Sequence, residues 1–326
     1  MQNIIKINWG IIGCGDVTEI KSGPAFSKVP NSSLVAVMRR NADKAADYAK
    51  RHNVPKWYSN ADELINDPDV NAIYVATPPS SHEHYGLAAI AAGKPVYVEK
   101  PMALNYTSAR KISDAAASKN VKLVVAHYRR EWPLFKKLKE LIVTNTIGDI
   151  CLVRLALYKT AFSKEQLTNK SLAWRVDPAI AGGGIFHDLA PHQFDILHHL
   201  FGPAKRITGI ALNQSGNYKA DDLVTANILF ENDIAFSGAW CFNAHEQSDR
   251  CEIIGNKGKL SFSFFDGGGI ELFTNNTTTI FDFDALQHVQ QPMIEKTVQY
   301  FLGKSDNPCP GEDGVEVMRW IDQVTR

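Results

Sequence analysis

No stretch of this chain reaches the ~18 consecutive apolar residues of a membrane span. The opening "MQNIIKINWG" has no long apolar run before a cleavage site. A soluble cytoplasmic protein is the expectation. An excess of one charge is also missing, since 35 Lys and Arg balance 35 Asp and Glu. That balance argues against a nucleic-acid groove and against a membrane-surface protein, and leaves room for a small basic pocket. Cysteine is scarce. Cys14, Cys151, Cys241, Cys251 and Cys309 are dispersed, odd in number and never spaced as C-x-x-C. Neither a disulfide framework nor a cysteine zinc site is expected, and a reducing compartment fits. Internal repeats and low-complexity segments are absent from the sequence.

What is present is enough apolar material, 44% of 326 residues, for more than one core. Two domains are expected from that length. The first third alternates. "IIKINWGIIG", "SLVAVMRR", "AIYVATPPS", "KPVYVEKP" and "VKLVVAHY" read as strands, with helical patterns such as "ADKAADYAKRH" and "TSARKISDAAASK" between them. Strands that are apolar throughout and alternate with helices indicate a doubly wound parallel sheet. After about residue 128 the texture changes. "DICLVRLALYK", "RITGIALNQ", "DLVTANILF", "IAFSGAW", "RCEIIG" and "KLSFSF" follow one another, several joined by short loops. These suit an open, mostly antiparallel sheet, interrupted by one helix at about 188–201. The expected class is α/β, with domains at 1–127 and 128–326. The tail reads as two helices, free to pack back on the first domain.

"NWGIIGCGDVTEI" places Gly13 and Gly15 at the end of the first strand, with Asp16 and Val17 opening the next helix. Glycines there let the backbone approach a pyrophosphate. A third glycine is lacking, and Thr18 stands in its position. The second strand ends in Arg39 and Arg40, where an NAD site would carry an acid for the ribose hydroxyls. Guanidinium groups pair with a 2′-phosphate instead, so NADP is expected and NAD remains possible. Solvated arginines at a strand end are the plain alternative. Thr77 and Pro78 form a rigid loop after the third strand, and Glu99 and Lys100 end the fourth. All lie at the carboxyl edge of the sheet, where open sheets bind ligands. The expected cofactor-binding set is Gly13, Gly15, Asp16, Val17, Arg39, Arg40, Thr77, Pro78, His82, Glu99 and Lys100. A plain packing role is also open to His82.

The second dense cluster is "AGGGIFHDLAPHQFDILHH", 181–199. A helix starting near Asp188, with Pro191 in its first turn, brings Asp188, His192, Asp195 and His199 within about 60° of one another. A solvated polar face, a metal site on Asp188, His192 and His187, and an acid/base group are the three readings. Just before the glycines, Trp174 and Arg175 offer a face for a sugar ring and a donor for hydroxyls. His127, Tyr128, Arg129 and Arg130 leave the last parallel strand at the same ligand edge.

Together, "GIIGCG", "VATPPSSH", "VEKP" and "GGGIFHDLAPHQFD" resemble the Gfo/Idh/MocA family of nicotinamide-dependent oxidoreductases, across essentially the whole chain. The resemblance implies a Rossmann domain followed by an α/β domain with a large open sheet that often serves oligomerisation, here as a homodimer or homotetramer. It implies Lys100, Asp188 and His192 as the catalytic group, and a cis bond before Pro101. It also implies a sugar, polyol or related carbonyl compound as substrate. Tyr128, Arg129, Trp174, Arg175 and His187 join the catalytic three as candidate substrate contacts, and no metal is expected. Thr18 and the Leu189-Ala190-Pro191 stretch depart from the commonest family wording. Two other classes compete: a non-catalytic NADP-binding sensor or scaffold, and a metal-dependent lyase or hydrolase built on the 187–199 cluster.

Overall fold

The computed structural model describes residues 5–325. The chain divides into two compact units. One is Met1–Arg129 with Leu286–Met318, and the other is Arg130–Ala285 with Arg319–Arg326. Among the described residues no helix is long and apolar enough to cross a membrane.

The first unit is built on six strands: β1 (Ile7–Ile12), β2 (Ser32–Met38), β3 (Lys56–Tyr58), β4 (Ala72–Val75), β5 (Val96–Val98) and β6 (Leu123–Val125). They lie in the order β3-β2-β1-β4-β5-β6, and every pairing is parallel. The order reverses direction between β1 and β4, the switch point of a doubly wound sheet. Strands β4, β5 and β6 are buried at every residue, which is why they read as unbroken apolar runs. Trp9, Tyr74 and Tyr97 are fully buried in this core, where each large apolar side chain contributes about 1.5–3 kcal/mol. The return segment supplies the helix Gln291–Phe301, whose Phe301 ring lies 5.5 Å from Trp9.

The second unit carries β7 (Ile150–Tyr158), β8 (Ala204–Leu212), β9 (Leu223–Phe230), β10 (Ala235–Cys241), β11 (Ser248–Gly255), β12 (Gly258–Phe262), β13 (Ile270–Thr274) and β14 (Thr277–Phe281). Their order is β14-β13-β12-β11-β7-β10-β9-β8. All neighbours are antiparallel except β7 and β10. Burial alternates along β9 and β10, so one face of the sheet is covered. The helix Ile185–Phe201 packs there. Phe186 and Phe194 meet Trp240 edge to face at 5.1 and 5.5 Å, and Trp240 Nε1 donates to Gln193 Oε1 at 2.6 Å. The fold is therefore a six-stranded parallel Rossmann sheet plus an eight-stranded, mostly antiparallel sheet.

Three strands escape the sequence pattern. β3 has only three residues, while β13 and β14 are short and β14 is largely exposed, so none builds an apolar period. The helix of the 181–199 cluster also begins earlier than expected, at Ile185 rather than Asp188. Gly184 caps it at φ +83°, a conformation that glycine adopts without a Cβ penalty. Pro191 consequently lies inside the helix, where it cannot donate to the carbonyl of His187.

Candidate active site

Because all six strands of the first unit run the same way, their carboxyl ends share one edge. Gly13 follows β1, Arg39 and Arg40 follow β2, Thr77 follows β4, and Glu99 and Lys100 follow β5. Gly13 has φ +96°, and a Cβ there would lie 2.7 Å from Thr77 Cγ2 and 2.9 Å from Thr77 N. The turn is tied to β2 by bonds from Gly13 N and Cys14 N to Met38 O, at 2.9 and 3.2 Å. A Cβ on Gly15 would meet only the Gly13 carbonyl, at 3.9 Å, so that face is open to close approach. Thr77 Oγ1 is buried without a hydrogen-bond partner, a polar atom aimed at nothing in the protein. Glycine backbone on one side and an orphaned hydroxyl on the other fit a dinucleotide at this edge. Arg39 Nη1 donates to Cys14 O at 3.3 Å, which holds its guanidinium against the turn, while Arg40 is exposed. Asp16 and Pro78 are exposed and Val17 is half-buried.

His82 sits differently from the rest of that set. It is fully buried, with Nδ1 2.9 Å from Pro101 O and Nε2 2.6 Å from Thr77 O. Each ring nitrogen lies against a main-chain carbonyl, and a neutral ring donates to one of the two, so His82 packs between the Thr77 loop and the Lys100-Pro101 turn. Burial lowers its pKa, against the pull of those carbonyls. The Lys100–Pro101 peptide is cis. Lys100 is half-buried, and Glu99 is 5% exposed. Tyr128 and Arg129 are buried at the end of the segment leaving β6.

In the second unit, Asp188 and His192 lie one turn apart on the helix Ile185–Phe201. Asp188 Oδ2 is 3.5 Å from Arg175 Nε, and the Arg175 guanidinium lies 4.7 Å over the Trp174 ring. His192 is buried, edge-on to Phe265 at 5.9 Å. His187 is buried against glycine, since a Cβ on Gly183 would lie 2.1 Å from its Cε1. Burial lowers the His187 pKa to about 4. The polar stripe of the helical wheel is thus divided by its tertiary partners. Asp195 is locked in a buried ion pair with Arg130, with contacts of 2.6 to 3.0 Å. His199 meets Lys139 at 3.1 Å, and His198 Nδ1 lies 3.1 Å from Gly202 O. Among the described residues no three His, Cys, Asp or Glu side chains come together as a metal site needs.

Sequence reasoning missed the partners of Glu99. Tyr74 and Gln290 both donate to its carboxylate, and neither belongs to a motif. Tyr74 is hidden in an apolar strand and Gln290 lies 191 residues away.

A glycine turn at the switch point of a parallel sheet marks the dinucleotide-binding class. Residues 7–127 match the oxidoreductase family with an NAD-binding Rossmann fold, and residues 135–261 match the GFO/IDH/MocA C-terminal domain. The chain belongs to the GFO/IDH/MocA oxidoreductases. It is 47% identical over 317 residues to "Oxidoreductase P35" of Formosa agariphila, covering 97% of this chain and 98% of that one. It is 30% identical to the trans-1,2-dihydrobenzene-1,2-diol dehydrogenase of Mus musculus, over 78% of this chain and 74% of that one. In fold it is similar to a levoglucosan dehydrogenase solved with NADH and levoglucosan, with TM-score 0.86 and 23% identity over 98% of this chain and 96% of that one.

Proposed function

We propose that this oxidoreductase interconverts a carbinol and a carbonyl on a sugar, a polyol or a related compound, with NADP(H) as the preferred cofactor. The observation that carries the reading is the shared carboxyl edge of the parallel sheet, where Gly13, Thr77 and Lys100 follow neighbouring strands. When bound, the nicotinamide supplies the hydride acceptor or donor. Everything else falls to side chains of this chain. Lys100 hydrogen-bonds the reacting oxygen and stabilises charge as it develops there. His192 takes the hydroxyl proton during oxidation and returns it in reduction, and Asp188 orients its ring. Trp174 and Arg175 contact the substrate ring and hydroxyls, with Tyr128, Arg129 and His187 as further contacts. Arg175 has a second task in this reading, since its approach to Asp188 holds that carboxylate in place. Two named relatives support the substrate class: the levoglucosan dehydrogenase and a 1,5-anhydro-D-fructose reductase of Ensifer adhaerens, 28% identical. The protein works in the cytoplasm as a homodimer or homotetramer, a reading that five free cysteines support for the compartment alone.

Cofactor choice rests on Arg39 and Arg40. A charge-assisted bond to a 2′-phosphate contributes about 1.5–3 kcal/mol, or roughly ten- to a hundredfold in affinity. The test is a fluorescence titration of the purified protein with NADPH and, separately, NADH. Tighter NADPH binding by about tenfold or more is expected, with Arg40→Ala erasing much of the difference. Equal binding of the two would remove the phosphate clamp and turn the substrate screen to NAD. A protein that binds either cofactor and turns over no sugar or polyol would favour the sensor alternative.

A further inference from the structure

Glu99 closes a buried network inside the first unit. Its Oε1 accepts from the Tyr74 hydroxyl and from Gln290 Nε2, the latter at 2.5 Å, and its Oε2 accepts from the N–H of Lys100 at 3.1 Å. Gln290 is fully buried. Its Oε1 accepts from the Tyr97 hydroxyl at 3.0 Å, and its own N–H donates to Lys21 O at 3.1 Å. The amide orientation follows from its partners, because a carboxylate only accepts and the Tyr97 hydroxyl here donates. Burial, then the charge of Glu99, pushes the Tyr74 and Tyr97 phenols far above their ordinary range, so both keep their protons.

We propose that Gln290 is a positioning residue for Lys100, acting through Glu99. The inference rests on the reading of Lys100 as the residue that meets the reacting oxygen. A carboxylate is a costly way to fill a core, and an apolar side chain would do so without the desolvation loss. Here the carboxylate has a second face. Oε1 is fixed by the phenol and the amide, which leaves Oε2 fixed on the main chain of Lys100 and sets the rotation of that residue's backbone. The same Gln290 grips Lys21 through its N–H, and His288 Nδ1 lies 2.7 Å from Ile20 O. Both carbonyls belong to the short stretch that follows the glycine turn. One residue of the return segment therefore references the lysine to the cofactor-binding turn.

The test reads the Lys100 amide directly, by residue-resolved hydrogen exchange of the wild type, Gln290→Met and Gln290→Glu. Gln290→Met keeps the shape and removes the donor. Protection of the Lys100 amide should fall by about tenfold or more, the loss expected of a charge-assisted bond, while the amides of β5 keep theirs. Gln290→Glu is nearly isosteric and should behave as a switch. The titratable groups bonded to the Gln290 side chain are Glu99 and Tyr97, with Tyr74 on the same Glu99 oxygen and Cys309 and Tyr128 beyond Tyr97. At low pH the new carboxyl is protonated and donates as the amide did, so protection returns; at higher pH it ionises, repels the Glu99 carboxylate, and protection is lost. A role in packing alone would not produce that rescue. Unchanged Lys100 protection in Gln290→Met overturns the proposal, and so does a loss shared equally with the β5 amides. If Gln290→Met does not fold, the pH response of Gln290→Glu decides alone. The readout needs no turnover, so its failure is separate from failure of the catalytic reading, which Lys100→Met judges by activity.

Discussion

The pH dependence of stability should carry the signature of His187. Its pKa is lowered from the ordinary 6.5 to about 4, because burial disfavours the charged ring. Between those two values the unfolded chain holds a proton on this residue and the folded chain does not. The unfolded state then binds more protons, so stability rises with pH across the window and is lost as pH falls through it. The full difference is about 3 kcal/mol below pH 4, and about 2 kcal/mol of it is already lost by pH 5. Above pH 7 this residue contributes no slope. Urea unfolding of the wild type and of His187→Gln at a series of pH values isolates the effect, since all other titrating groups are common to both. The wild type should approach or fall below the variant as pH drops, the gap changing by about 2 kcal/mol between pH 7 and 5. His82, also lowered by burial, titrates in both proteins and cancels. Glu19, held down to about 2 chiefly by its bond to Arg51, acts at lower pH, between its ordinary 4.5 and that value. Parallel stability curves for the two proteins would overturn this expectation, and would mean that the His187 ring is protonated or hydrated in the folded state. In the expected case a neutral His187 can touch substrate and cannot serve as a cation.

Other outcomes are expected from single sites. Lys100→Ala and His192→Ala should each lower kcat by about 10²–10⁴ while NADH or NADPH still binds, and wild-type turnover in either would remove that residue from the catalytic group. Asp195→Asn should destabilise the protein by about 3–5 kcal/mol in urea, because the buried Arg130 loses the Asp195 charge, whereas Arg130→Met with Asp195→Leu should recover much of the loss. Gly13→Ala should cost at least about 1–2 kcal/mol from its left-handed backbone. Its methyl would also press on the Thr77 main chain, so cofactor affinity should fall by about tenfold or more in the same titration.

The parallel domain was legible in the sequence because its signals are local. Strands buried on both faces read as continuous apolar runs, and the residues that follow them inherit the carboxyl edge once the strands are parallel. Parallel strand direction alone brings Gly13, Thr77 and Lys100 to one edge. The helix of the second cluster was legible as well, but its chemistry was not. A helical wheel groups Asp188, His192, Asp195 and His199 by angle. The tertiary structure separates them by partner: Arg130 takes Asp195, Lys139 meets His199, and Arg175 approaches Asp188. Angles on a wheel follow from sequence spacing, whereas the partners come from elsewhere in the chain, 65 residues away for Arg130 and 60 for Lys139.

The α/β class with its parallel sheet, the glycine turn, the Glu99-Lys100-Pro101 turn and the family were legible along the chain, since each rests on neighbours in sequence or on strand-length periodicity, whereas the return of residues 286–318 to the first unit was not. Tertiary packing, by contrast, places His82 between two carbonyls, buries His187 against Gly183, and clamps Glu99 between Tyr74 and Gln290. Those properties depend on burial and on hydrogen-bond partners distant in sequence. A buried polar group takes its character from what desolvates it and what satisfies it, and neither is encoded in its neighbours along the chain.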